Sequence, residues 1–303
     1  MSRTCAPSLL LSFVILSAAR IWAADTADEF ARVRSGQFDH GWGTYSGGPH
    51  QPDGRIDRAK LLAELAQQHA RAYSWLIWRN PHDWEDLQAF LPEAAKQKIR
   101  VWVTLVPPSE SPPHNRTFSE PFRLDYEKWA QEIAALSVRE PALVGWSIDD
   151  FVWNTRDLKP VRMHGIIDGA RAVNPRLAFF PCCYFAAVSA TFVRDYRDCI
   201  DGIFFPYRSE STKANLGDAS HVTEEVSALR ERLGPDKAVV LMVYASAHSR
   251  LGATTNAYVG EVLRAGHANA DGVIVFVHQD PVRDAEKFAT ITQLFSAWSR
   301  APR

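Results

Sequence analysis

Between Ala142 and Trp153 the chain reads Ala-Leu-Val-Gly-Trp-Ser-Ile-Asp-Asp-Phe-Val-Trp, an apolar run that ends in two adjacent carboxylates. A continuous apolar run is typical of a strand inside a parallel sheet, because such strands are buried on both faces. Asp149 and Asp150 follow its carboxyl end, the edge at which α/β folds bind their ligands. Two neighbouring acids cannot both ionise freely, so we expect their pKa values to split and to provide one acid and one base near neutral pH.

Strand-like and helix-like segments alternate outward from this stretch along the chain. Eight strands are predicted near Gly36–Tyr45, Ala72–Trp78, Ile99–Val106, Leu143–Asp149, Leu177–Tyr184, Gly202–Tyr207, Ala238–Tyr244 and Gly272–Val277. Helices are predicted near Asp57–His69, Trp84–Gln97, Tyr126–Arg139, Val161–Val173, Val188–Tyr196, Ala219–Leu233, Asn256–His267 and Ala285–Trp298. Eight β/α pairs predict an α/β fold, a (β/α)8 TIM barrel in a single domain. An open doubly wound sheet is the alternative, disfavoured because no Gly-rich phosphate turn follows the first strand.

The amino terminus is typical of a secretory signal peptide. Arg3 provides a positive start, Leu9–Ala19 an apolar segment, and Ile21–Ala24 an end with small residues. We therefore predict a signal peptide at 1–24, a barrel catalytic domain at 25–303, and a secreted or periplasmic location. The apolar segment is too short to span a bilayer, so no membrane contact is expected after cleavage.

Composition and net charge limit the classes of ligand and partner that this chain is expected to bind. The formal net charge is −1, which gives no support for binding to nucleic acid. Beyond the predicted signal peptide the cysteines are Cys182, Cys183 and Cys199, and Cys199 could pair with either neighbour or all three could be buried thiols. No His or Cys stands beside them at zinc-like spacing, so we predict no metal and no cofactor.

The predicted strand ends carry a set of residues rich in carboxylates, Tyr and Trp. In a barrel the active site is built from the loops that follow the strands. We predict substrate contacts from Asp39, His40, Trp42, Trp78, Trp153, Tyr184, Arg208, Glu210, Tyr244 and His278. The acids suit cleavage of a glycosidic bond, which needs a proton donor and an anionic group beside a cationic ring, and the aromatic side chains suit stacking on sugars. A nucleophile elbow of the Gly-x-Ser-x-Gly type is absent from the sequence.

The segment Trp146-Ser-Ile-Asp-Asp-Phe151 resembles the catalytic strand of the O-GlcNAcase-like β-N-acetylhexosaminidases and is more distantly similar to that of the chitinase-type barrels. The resemblance implies a carbohydrate substrate and a mechanism in which the N-acetyl oxygen of the sugar attacks the anomeric carbon. It also implies that Asp149 orients the acetamide and that Asp150 acts first as general acid and then as general base. Tyr207 would hydrogen-bond the acetamide oxygen.

The sequence departs from both families. The first predicted strand reads Phe38-Asp-His-Gly-Trp42 in place of a Gly-rich signature, and the fourth lacks the spaced acids of chitinases. The seventh ends in Val243-Tyr-Ala-Ser-Ala-His248, without the Glu that many retaining barrel glycosidases have there. The substrate therefore need not be an N-acetylated sugar. A galactosamine-containing polysaccharide is a further candidate substrate.

The leading hypothesis is a secreted glycoside hydrolase that cleaves O-glycosidic bonds, with an amino-sugar-containing polysaccharide as candidate substrate. A non-catalytic carbohydrate-binding barrel of the chitinase-like lectin type is the alternative, and a metal-dependent hydrolase of an ester or amide is a third. Successive strand residues point to opposite faces, so Asp149 and Asp150 converge only if the chain turns or bulges after the strand. Otherwise the second acid would come from Glu210, Asp39 or Asp280. The long loop Pro107–Pro121 is predicted to be either a cover over the site or a rigid surface loop.

Overall fold

The computed structural model describes residues 27–300, so the predicted signal peptide lies outside the described residues. Eight parallel strands form one sheet in the order β5-β4-β3-β2-β1-β8-β7-β6. The strands are β1 Gly41–Tyr45, β2 Ala72–Ile77, β3 Arg100–Leu105, β4 Leu143–Ile148, β5 Ala178–Phe179, β6 Gly202–Pro206, β7 Ala238–Tyr244 and β8 Gly272–Phe276. A helix over 27–35 (α1) precedes β1. One helix then follows each strand: α2 Arg58–Gln67, α3 Asp83–Lys96, α4 Tyr126–Arg139, α5 Pro160–Val173, α6 Ala190–Tyr196, α7 Val222–Leu233, α8 Asn256–Asn269 and α9 Ala285–Arg300. The predicted (β/α)8 barrel is confirmed.

The segment after β5 closes the barrel against β6. Cys182 and Phe204 form a parallel bridge, the Cys183 amide donates to the Phe204 carbonyl at 2.8 Å, and the Phe204 amide donates to the Pro181 carbonyl at 3.0 Å. The regular strand is shorter than the predicted Leu177–Tyr184, since Pro181 has no N–H to continue the ladder. The closing contacts place Cys182 at the carboxyl edge of the barrel.

Aromatic rings fill the barrel interior. Trp102 of β3 reaches across to Phe204 of β6, with ring centroids 5.2 Å apart, and packs against Phe180 at 4.6 Å. Gly145 of β4 leaves room for this indole, because a Cβ there would lie 2.2 Å from the Trp102 ring. The barrel is therefore a packed core, and any chemistry belongs at its ends.

Several helices begin where the sequence supplies a capping side chain. Asp57, Asp125, Ser189 and Thr255 each accept a hydrogen bond from the amide three residues further on, at the starts of α2, α4, α6 and α8.

Within the described part of the chain, no helix combines the length and the apolar character that a bilayer crossing requires.

The cysteines of the described chain are buried free thiols. Cys182, Cys183 and Cys199 form no disulfide, and the Cys199 thiol donates to the Tyr196 carbonyl at 3.2 Å. Of the two arrangements that the sequence left open, the structure therefore has the buried thiols.

Candidate active site

Asp149 and Asp150 converge because the chain turns sharply after β4. The Asp149 amide still donates to the Leu105 carbonyl of β3 at 3.0 Å, which continues the strand pairing. Asp150 leaves the strand with φ 45° and ψ 31°, in the left-handed region. Few residues other than Gly adopt this conformation, and Asp and Asn are among those that adopt it most readily. The turn meets the geometric condition for two acids from one strand to share a site.

Both carboxylates line one cavity at the carboxyl face of the barrel. The cavity has a volume of about 280 Å³. Its walls come from the ends of several strands and their loops: Glu110, Asp149, Asp150, Cys182, Tyr184, Pro206, Met242, Tyr244, Ala247, His248, Ser249 and Phe276. This is the face at which (β/α)8 enzymes carry their catalytic groups.

A tyrosine orients each acid. The Tyr45 hydroxyl donates to Asp149 Oδ2 at 3.2 Å, and the Tyr184 hydroxyl donates to Asp150 Oδ1 at 2.6 Å. The Asp150 amide donates to Asp149 Oδ1 at 3.0 Å, and the Cys182 thiol adds a further hydrogen bond to Asp149. These bonds hold the two carboxylates in a fixed geometry before any substrate arrives.

The surroundings favour the protonated form of Asp149. Burial, and after it the negative charges of Asp150 and Glu110, raise the pKa of Asp149 from 3.8 to about 7. Burial and the same aspartates raise the pKa of the Cys182 thiol well above its ordinary value, so Cys182 stays protonated and donates to Asp149. The site therefore combines an acid that is half protonated near neutral pH with a second carboxyl group beside it.

Asp149→Asn is expected to make stability less dependent on pH. Between the unfolded pKa and the raised folded pKa of Asp149, the folded chain holds a proton that the unfolded chain releases, so wild-type stability falls as pH rises from 3.8 to about 7. The amide has no proton to lose. We expect the melting temperature of the variant, relative to wild type, to be a few degrees higher at about pH 8 than at about pH 4. A constant difference across this range would mean that Asp149 titrates normally.

Asp149, Asp150 and Cys182 also meet the spacing of a metal site. Each offers one ligand atom, and these atoms lie within 4.8 Å of one another. Their contacts in this structure are hydrogen bonds among themselves and with Tyr45 and Tyr184, and a metal would require the thiol to ionise beside two carboxylates. The arrangement suits proton chemistry better than ligation, and a chelator provides the test.

The site also contains three residues that the sequence does not predict as site residues: Glu110, Tyr45 and Cys182. Glu110 lies in the loop Pro107–Pro121, where no periodic pattern shows which side chain turns inward. Burial and then the charge of Asp150 raise the pKa of Glu110, against smaller opposing effects of a hydrogen bond with Trp78 and the charge of Arg79. The signal that could have found it is an acid in a long loop next to the strand that ends in Asp149.

Other predicted residues do gather around the pocket. Tyr244 lines it, and the exposed Trp153, which is 57% accessible, lies with its ring centroid 5.8 Å from that of Tyr184. The Arg208 guanidinium stacks 4.0 Å from the centre of the Tyr184 ring and is paired with Glu210. These contacts join Trp153 and Arg208 to the tyrosine that holds Asp150.

Trp78 lies at the end of β2 with 39% of its surface exposed. The Arg79 guanidinium covers the Trp78 ring, 4.2 Å from its centre. The Trp78 side chain hydrogen-bonds Glu110. Both exposed tryptophans at this face are thus linked to acids of the pocket, Trp78 through Glu110 and Trp153 through Tyr184.

Tyr207 and His278 lie outside the pocket, contrary to the expectation that they face it. The buried Tyr207 hydroxyl donates to the Asp218 carbonyl at 2.8 Å, while its neighbour Pro206 lines the cavity. The two side chains point to opposite faces, as successive strand residues do. His278 is buried behind β1, with its ring nitrogens 3.0 Å from Thr44 Oγ1 and 3.0 Å from Glu64 Oε2.

Asp39, His40 and Trp42 were expected at the carboxyl end of the first strand, and this placement is wrong. The predicted strand from Gly36 is a 3-10 turn at Gly36–Phe38, and β1 starts only at Gly41. Asp39 and His40 therefore lie at the amino-terminal face, where Asp39 lines a separate cavity of about 680 Å³. Trp42 is buried, and its indole N–H donates to the His69 carbonyl at 2.8 Å.

Solved structures share the fold of this chain at low sequence identity. A GH2 β-galacturonidase from Eisenbergiella tayi bound to galacturonate matches 86% of this chain and 51% of its own, with TM-score 0.58 and 11% identity. A β-D-glucuronidase of Dictyoglomus thermophilum matches 88% and 51%, with TM-score 0.58 and 15% identity. An endoglucanase of Pseudomonas stutzeri matches 84% and 93%, with TM-score 0.54 and 13% identity.

The chain spans about half the length of the first two of these proteins. No protein-family model and no curated protein matches the sequence. At 11–15% identity the likeness establishes the barrel and leaves the reaction to be argued from the site.

Proposed function

We propose that this protein is a glycoside hydrolase that cleaves O-glycosidic bonds through Asp149 and Asp150. The observation that carries the proposal is the convergence of these two acids on one pocket at the carboxyl face, with Asp149 half protonated near neutral pH. Glycosidic cleavage needs a proton source and an anion beside a cationic ring. The barrels of similar fold include proteins named as glycosidases, which supports this reaction class.

The two acids have different surroundings, which favours different roles. Asp150 is held by a 2.6 Å hydrogen bond from Tyr184, beside the exposed Trp153, and we place it against the anomeric centre of the sugar. Asp149 accepts hydrogen bonds from Tyr45 and from the Asp150 amide, and its proton keeps the pair from carrying two charges. A carboxylate stabilised beside a second, protonated carboxyl is a recurring way to run acid/base chemistry near neutral pH.

An amino-sugar-containing polysaccharide is the substrate class that the Asp-Asp resemblance favours. Tyr207 cannot serve the acetamide, because its hydroxyl is bonded to the Asp218 carbonyl. Tyr244 lines the pocket and takes that place in our proposal. The predicted signal peptide favours a secreted or periplasmic enzyme.

The test of the reaction class is a substrate panel. Purified mature protein would be incubated with aryl glycosides of glucose, glucuronic acid, galacturonic acid, N-acetylglucosamine and glucosamine, and with chitin, chitosan and polygalactosamine. We expect new reducing ends from one sugar class, with or without EDTA. Loss of the activity in EDTA, restored by a divalent metal, would point to a metal-dependent hydrolase and against the proton chemistry of the Asp pair.

A carbohydrate-binding barrel without turnover is the second candidate. It is favoured by the end of β7, where Tyr244 stands in the place of a carboxylate. Retention on one polysaccharide, together with no reducing ends after prolonged incubation, would support this reading over hydrolysis.

Trp153→Ala is expected to weaken binding of a long substrate. The ring is exposed beside Tyr184 and is free to stack on a sugar unit next to the cleaved one. Loss of one stacking contact of about 1 kcal/mol should raise KM for a polysaccharide about fivefold, with kcat on a short aryl glycoside little changed. Trp153→Phe serves as the control and should restore most of the affinity. An unchanged KM in the alanine variant would remove Trp153 from the binding surface.

A further inference from the structure

The Asp pair occupies a single wall of the pocket. Both residues belong to the tip of β4, and their nearest oxygen atoms lie within 4.8 Å. In most glycosidases the proton donor and the group at the anomeric carbon flank the scissile bond, about 5 to 9.5 Å apart. A carboxyl group on a different wall would complete such an arrangement.

Glu110 presents a carboxyl group from the loop after β3. It lines the same 280 Å³ cavity as Asp149 and Asp150, and it ends the short 3-10 turn Pro108–Glu110. The charge of Asp150 acts on Glu110, and Trp78 hydrogen-bonds it from the side of β2. Glu110 thus lies between the acid pair and an exposed aromatic ring.

A single asparagine joins the residue before Glu110 to the backbone of Asp150. Asn154 Oδ1 accepts from the Ser109 amide at 2.8 Å, and Asn154 Nδ2 donates to Ser109 Oγ at 3.0 Å. The same Nδ2 donates to the Asp150 carbonyl at 2.9 Å. The residue before Glu110 and the backbone of Asp150 are therefore joined through one buried side chain.

The rest of the loop is also held in place. The buried Ser119 hydroxyl donates to the Ile77 carbonyl at 2.8 Å and accepts from the Val106 amide at 2.9 Å. The buried Ser111 hydroxyl donates to the Thr117 carbonyl at 2.8 Å. A loop held in this way positions a catalytic side chain in advance, which is what proton transfer in a transition state requires.

We infer that Glu110 is a further catalytic residue, the general acid that protonates the leaving oxygen. The inference rests on the proposed glycosidase function, and it leaves Asp150 on the anomeric side, in place of the general-acid role that the resemblance implied. The Glu110 carboxyl gives its proton to the glycosidic oxygen as the bond from that oxygen to the anomeric carbon breaks, and the alcohol departs with it. Water then adds to the anomeric carbon and releases one proton to a carboxylate of the site. Burial and the charge of Asp150 favour the protonated form of Glu110 before the reaction.

The test compares leaving groups in Glu110→Gln. Wild type, Glu110→Gln and Glu120→Gln would be assayed on the 2,4-dinitrophenyl and phenyl glycosides of the sugar that the panel identifies. Glu120 lies in the same loop, where it pairs with Arg123 at 3.1 Å, and is the matched control. A general acid is needed only for the poor leaving group, so kcat/KM of Glu110→Gln should fall about 10²- to 10⁴-fold on the phenyl glycoside and only slightly on the dinitrophenyl one.

The pH profile gives a second readout. Loss of a proton from Glu110 and loss of a proton from Asp149 both shape the alkaline limb of kcat/KM on the phenyl glycoside, so this limb should be the same in wild type and Glu120→Gln and should change in Glu110→Gln. An equal loss on both glycosides, or none on either, in a wild type that cleaves both would overturn the role of Glu110 and leave the proposed function standing. A wild type that cleaves neither these glycosides nor any polysaccharide of the panel would overturn both.

Discussion

Asp150→Asn is expected to lower kcat/KM by about 10²- to 10⁴-fold on any glycoside that the wild-type protein cleaves. The substitution removes the negative charge that faces the substrate, while an amide oxygen can still accept the Tyr184 hydrogen bond. Asn also adopts the left-handed conformation that Asp150 has, with φ 45°, so the turn after β4 is retained. The loss is therefore a loss of chemistry, to be measured as kcat and KM separately.

Asp157→Asn is the matched control for this variant. Asp157 is exposed on the same β4–α5 loop and does not line the pocket. We expect it to keep wild-type kinetics and both variants to fold and to unfold cooperatively on heating. An Asp150→Asn protein with full activity would remove Asp150 from the mechanism.

Trp102→Ala is expected to destabilise the fold by about 3–5 kcal/mol, as truncation of a large buried aromatic does. The indole lies inside the barrel against Phe180 and Phe204, and Gly145 leaves the space that it fills. Because these rings come from opposite sides of the barrel, the cavity left behind cannot be closed by a local rearrangement. Chemical denaturation monitored by circular dichroism gives the free energy of unfolding.

Trp153→Ala is the control, because it truncates a second tryptophan that lies at the surface. Trp153 is 57% exposed, so its loss should change the free energy of unfolding by less than about 1 kcal/mol. Equal effects of the two substitutions would contradict a packed barrel interior centred on Trp102.

The fold was readable from the sequence because buried parallel strands give long apolar runs. For β7 the predicted and observed bounds are the same, Ala238–Tyr244, since seven consecutive apolar or aromatic residues follow the charged Lys237. The prediction failed where the run continues past the strand. At β5 it included Pro181, which interrupts the ladder. At β1 it included the turn Gly36–Phe38, in which the buried Phe38 packs against Trp102 and Phe204.

The site was readable only in part, because a site depends on which face each side chain takes. The Asp pair stood out as charge at the end of a buried strand. The direction of a side chain changes with each residue, so Tyr207 was assigned to the pocket that its neighbour Pro206 lines. The loop that carries Glu110 is joined to the loop after β4 by contacts between Ser109 and Asn154, which are 45 residues apart in sequence, and no local pattern encodes such contacts.

The most direct test of glycosidic cleavage by this protein is hydrolysis in water enriched in oxygen-18, with the products analysed by mass spectrometry. We predict one heavy oxygen in the new reducing-end hydroxyl for each bond cleaved by wild type, and about 10²- to 10⁴-fold less labelled product from Asp150→Asn over the same time. Label in a released carboxylate would identify ester or amide hydrolysis, and an unlabelled, uncleaved glycan bound to the protein would identify a binding barrel. Either result would contradict glycosidic cleavage by the acids at the end of β4.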